Sequence, residues 1–120
     1  MYRDYLGVIG MRKFNIINYL KNKCNLNNKS ILNDFLIHLE NTLMNVDEFE
    51  GTLYFDIYEF VYVFEDDFNQ DEISDELGIS QSKVCKTLKK IDEFIYKLLR
   101  KKEYTELQKI ISKEYKHEAS

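Results

Sequence analysis

Not one proline occurs in this chain of 120 residues, and only four glycines do. Proline breaks a helix by removing an amide N–H and clashing with the carbonyl one turn back, while glycine supplies the positive-φ turns of β-hairpins. A chain this poor in both carries long helices easily and lacks the turn chemistry of an all-β fold. The expected class is therefore mainly α, a helical bundle. Its length suits one hydrophobic core, and its 44% hydrophobic residues can fill it. The expected layout is a single helical domain over residues 1–102, followed by a C-terminal amphipathic helix over 103–120 with a frayed end.

Apolar periodicity locates the helices. Met11, Phe14, Ile17, Tyr19 and Leu20 define a short amphipathic helix over residues 11–24, and the polar run 22–29 is a loop. Ser30 is expected to cap a second helix with an inner stripe of Ile31, Phe35, Leu39, Leu43 and Val46. A break is expected over residues 47–51. Beyond it, Leu53, Ile57, Phe60, Val61, Phe64 and Phe68 keep helical spacing. Thr52, Tyr54, Tyr58, Tyr62 and Val63 load the same stretch with strand formers, so a short strand at 52–55 stands beside a helix from about Phe55. Tyr104, Leu107, Ile110, Ile111 and Tyr115 mark the last helix.

Residues 69–90 have the most specific pattern. Asn69 with Glu72 three residues on is a capping box, and Ile73 and Leu77 form the inner face of the helix it starts. Gly78 ends that helix in the left-handed conformation, Ile79 turns inward, and Ser80 caps a second helix with the stripe Val84, Leu88, Ile91, Phe94 or Ile95, and Leu98. The segment Glu72-Ile73-Ser74-Asp75-Glu76-Leu77-Gly78-Ile79-Ser80-Gln81-Ser82-Lys83-Val84 resembles the helix-turn-helix of sigma factor region 4 and of related bacterial and phage transcription regulators. The resemblance covers roughly residues 60–99. It places Ser74 at the small-residue position where the two helices cross and Leu88 at the apolar position four after Val84.

What the resemblance implies is duplex DNA recognition, with the second helix in the major groove and its outward N-terminal residues at base edges. Those residues are Gln81, Ser82, Lys83 and Lys86. Gln81 suits adenine, and the two lysines suit guanine acceptors. Lys89, Lys90 and the amides near Ser80 suit phosphate.

The formal charge of −4 runs against the usual basic footprint of such proteins, but the average conceals segregation. Residues 47–76 hold twelve carboxylates and no Lys or Arg, whereas residues 77–102 hold eight bases against Asp92 and Glu93. One stretch is built to face phosphate and its neighbour is not. A single weakly basic module binds feebly, so a homodimer presenting two recognition helices about 34 Å apart is expected.

Two other roles follow from the same residues: an acidic surface against RNA polymerase, or a plasmid or phage DNA segregation or transfer protein. Asp67, Asn69 and Asp71 have the oxygen spacing that opens a calcium loop, but Glu72 and Gly78 stand where that loop needs Gly and Glu, so a helix cap is the better account. No metal or cofactor is expected at His38, which lacks nominable co-ligands, and Cys85 reads as a small filler residue. No phosphate loop, zinc-protease motif or nucleophile elbow occurs, so no enzyme is expected. The aromatic run Tyr54, Phe55, Tyr58, Tyr62 and Phe64 has no interleaved base and reads as core or dimer packing rather than a base-stacking platform. Cys24 and Cys85 lack metal or redox spacing, the N-terminus lacks a secretion pattern, and no long apolar run exists. A cytoplasmic location, away from membranes, is the expectation.

Overall fold

The computed structural model describes residues 15–64 and 68–119, with side chains described as far as 112. Met11, Phe14, Asp67, the Tyr115 side chain and Ser120 lie outside the described residues. Among those residues every regular element is helical. This agrees with the missing prolines.

Helix α1 (Ile16–Lys23) starts where the Asn15 side chain accepts from the Asn18 N–H at 3.0 Å, and it buries Ile16, Ile17 and Leu20. Asn15 also donates through Nδ2 to the Val61 carbonyl, tying this start to a segment 46 residues away. Helix α2 (Lys29–Glu50) corrects one expectation and narrows another. Ser30 does not cap it. The Asn25 side chain folds a turn by accepting from the Asn27 and Asn28 N–H groups, and the helix begins before Ser30 is reached. The break expected over residues 47–51 falls at the far end of that range, because the helix continues to Glu50 and stops at Gly51, where φ is 66°. Its buried stripe is Leu32, Phe35, Leu39 and Leu43, with Ile31 and Val46 half-buried at the margins.

Residues 52–55 form a helix entry, not a strand. The Asp47 carboxylate accepts from the Tyr54 N–H at 2.8 Å, from the Phe55 N–H at 2.9 Å and from the Thr52 hydroxyl. Three donors at the start of α3 (Tyr54–Tyr58) thus share one anion, which the positive end of a helix favours. Helix α3 passes into a π-helical turn at Glu59–Val63. Together they bury Ile57, Tyr58, Val61 and Tyr62. The Tyr58 hydroxyl donates to Glu40 at 3.1 Å, and burial, with that carboxylate beside it, pushes the phenol's pKa up.

Helices α4 (Gln70–Leu77) and α5 (Gln81–Leu99) follow, then a 3₁₀ turn at Lys102–Tyr104 and α6 (Thr105–Ala119). Helix α5 is the hub, packing against α2, α3, α4 and α6. It buries Val84, Leu88, Ile91, Ile95, Leu98 and Leu99, each worth about 1.5–3 kcal/mol of transfer free energy. Tyr104 and Leu107 join the same core. The Tyr104 hydroxyl lies 2.9 Å from His38 Nδ1, and its ring meets Phe35 edge-on at 5.2 Å. The Gln108 amide donates to the Leu99 and Lys101 carbonyls, closing the end of α5. Among the described residues no helix is long and apolar enough to cross a membrane.

Candidate nucleic-acid interface

The α4–turn–α5 unit is held by bonds between near neighbours. The Asn69 N–H donates to Glu72 Oε1 at 2.9 Å and the Glu72 N–H returns a bond to Asn69 Oδ1 at 2.8 Å, a complete capping box. Gly78 adopts φ 66° and ψ 33°, and its N–H donates to the Ser74 carbonyl. A Cβ at Gly78 meets nothing within 4 Å, so the backbone conformation alone requires glycine there. The Ile79 N–H also donates to the Ser74 carbonyl, at 3.1 Å, and the Ser74 hydroxyl donates back to the Ile79 carbonyl. The residue expected only to be small therefore fastens the turn with its oxygen. Ser80 then caps α5 by accepting from the Lys83 N–H at 3.1 Å.

All seven residues that the sequence nominates for DNA contact are exposed: Ser80, Gln81, Ser82, Lys83, Lys86, Lys89 and Lys90. None of the four lysines has an ion-pair partner among the described residues. Their neighbour Asp92 points the other way. It is 5% exposed, and burial first, then the adjacent Glu93, raises its carboxyl pKa to about 7. Near neutral pH it is only partly ionised, so it subtracts less from the basic character of α5 than a formal count implies.

The sequence did not disclose what faces these lysines. Six of the seven residues, all but Gln81, line a cleft of about 640 Å³ whose far wall is Thr52, Leu53, Tyr54 and Ile57 from the entry to α3. Ile79, Thr87 and Glu93 also line it. Tyr54 is braced against Phe94 of α5, with ring centroids 5.8 Å apart. The wall stands where it does because Asp47 starts α3, a contact made across seven and eight residues that no local motif signals.

The remaining candidates fall elsewhere. His38 is half-buried against Tyr104. Cys24 and Cys85 are free and half-buried, and burial pushes the Cys24 thiol pKa up. Among the described residues, no group of three or more His, Cys, Asp or Glu is placed to hold a metal ion. In the aromatic run, Tyr58 and Tyr62 are buried and Tyr54 and Phe55 half-buried, while Phe64 remains 44% exposed. Comparison with models of known protein families, with curated proteins and with solved structures finds no match for this chain.

Proposed function

We propose that the protein is a sequence-specific, helix-turn-helix DNA-binding transcriptional regulator that acts as a homodimer and reads duplex DNA with the start of α5. The observation that carries this reading is the set of four exposed lysines, without ion-pair partners among the described residues, on the first turns of a helix that a tight turn at Gly78 projects from α4. Ammonium groups held to a rigid helix and lacking protein partners can release counterions from phosphate. Ser82 and Gln81 stand beside them to sample base edges, the arrangement expected of the sigma region 4 type of helix-turn-helix. Dimerisation supplies the second recognition helix that a chain of formal charge −4 needs for useful affinity.

The test is a gel shift with duplex fragments flanking the protein's own gene, at low salt. Lys83→Ala combined with Lys86→Ala is expected to weaken binding by about 2–4 kcal/mol, and Lys89→Ala to lower the salt slope by about one counterion without changing sequence preference. Full-strength binding by the double variant would remove the assigned readout. Light scattering at two protein concentrations tests the dimer, and a strictly monomeric species would refute it.

A further inference from the structure

The cleft beside the recognition helix is larger and more apolar than phosphate contact requires. It is lined by the buried Ile57, the half-buried Leu53 and Ile79, and the exposed Lys83, Lys86 and Lys90. Its volume of about 640 Å³ lies within the range of small-molecule sites. Thr87 lines it, is 8% exposed, and its hydroxyl has no hydrogen-bond partner among the described residues. A buried hydroxyl without a partner is costly to the fold alone, and a ligand oxygen can satisfy it.

We infer that this cleft is a binding site for a small organic anion, an aromatic or medium-chain alkyl carboxylate, and that the bound anion takes Lys83 and Lys86 away from duplex DNA. The apolar body lies between the α3 wall and Ile79. The carboxylate meets the lysine ammonium groups and accepts from the Thr87 hydroxyl. Duplex phosphates satisfy only the lysines and leave the apolar lining uncovered, whereas an amphipathic anion satisfies both. Glu93, which also lines the cleft about two turns of α5 beyond Lys86, orients the ligand, since it repels the carboxylate toward Lys83 and Lys86. The competition with DNA rests on the DNA-binding reading, while the anion site itself does not.

The probe is anilinonaphthalene sulfonate, followed by its fluorescence on the intact chain, with octanoate and octanol as competitors. Saturable binding is expected, displaced by octanoate but not by octanol at equal concentration. Lys86→Ala and Thr87→Val should each weaken it by about threefold to tenfold, Lys86→Ala with unchanged melting and Thr87→Val with melting raised, since it removes the unpartnered hydroxyl. Phe49→Ser, which removes a phenyl ring 92% exposed and outside the cleft lining, should leave it unaltered. No saturable binding, binding indifferent to both cleft variants, or binding lost with Phe49→Ser would each overturn the site. In the second arm octanoate is titrated into a protein–duplex complex. Release supports competition, and a duplex that stays bound at saturating octanoate overturns it. Failure to bind any duplex while the probe still binds would overturn the DNA reading and leave the anion site standing.

Discussion

Two carboxylates of the acidic stretch, Asp47 and Glu72, and four lysines of the basic stretch that follows it use their charges in opposite ways. Asp47 and Glu72 serve helix starts, Asp47 accepting from two backbone N–H groups and the exposed Glu72 from one. Lys83, Lys86, Lys89 and Lys90 are exposed, and no carboxylate among the described residues pairs with them. Charges enlisted by the backbone stabilise architecture, whereas charges left over are available to a partner. Net charge averages the two, which is why −4 is a poor guide to what this surface can bind.

The contrast predicts a division between stability and binding. The largest loss of stability is expected from Asp47→Ala, which strips three donors at the start of α3 of their acceptor. Urea unfolding should show a cost of about 3 kcal/mol, and the cleft should lose its far wall. An effect below 0.5 kcal/mol, the usual range for an exposed substitution, would show that water replaces the carboxylate freely.

Asp92→Asn is expected to stabilise. The folded carboxyl has a pKa near 7, above its ordinary value of 3.8, so the folded state holds a proton that the unfolded chain has released. The wild-type contribution from this group is therefore most favourable below about pH 4 and is lost as pH rises to about 7. The variant should gain about 2 kcal/mol over wild type at pH 8 and almost nothing at pH 4. A gain of equal size at both values would assign the effect to packing instead.

Ser74→Ala is smaller, about 1 kcal/mol, because only the hydroxyl bond to the Ile79 carbonyl is removed. If α5 depends on that bond for its direction, duplex binding should fall more than stability does. Least of all, alanine at any one of Lys83, Lys86, Lys89 or Lys90 should move unfolding by no more than about 0.5 kcal/mol. A large loss of stability there would break the comparison, since it would place those lysines among the groups that hold the fold.

The two regions also differ in how far the sequence reveals them. From Asn69 to Ser80 every decisive bond spans three to five residues, so cap, turn and second cap can be read in order. The same holds for the exposure of the seven residues around the start of α5, which follows from helical spacing. The α3 entry was ambiguous because its cap comes from inside the preceding helix, and Ser30 misled because Asn25 folds the chain into α2 first. The Gln108 bonds to the end of α5, and the contact of Tyr104 with His38, join residues 7 to 66 positions apart. Periodicity identifies which residues are buried in such cases but not which surfaces meet.

Helix α5 is one continuous rod of 19 residues, about 28 Å long at the standard rise. Its far half, from Ile91 to Leu99, is embedded in the core and sealed by Gln108, while its near half buries Val84, Thr87 and Leu88 on one side and bears on the other the lysines that have no ion-pair partner among the described residues. A rod of this length is a lever. A tilt of about 5° at the Leu99 end sweeps the other by roughly 2 Å, enough to separate an ammonium group from a phosphate, so substitutions around Leu99 and Gln108 can reset the aim of residues they never touch.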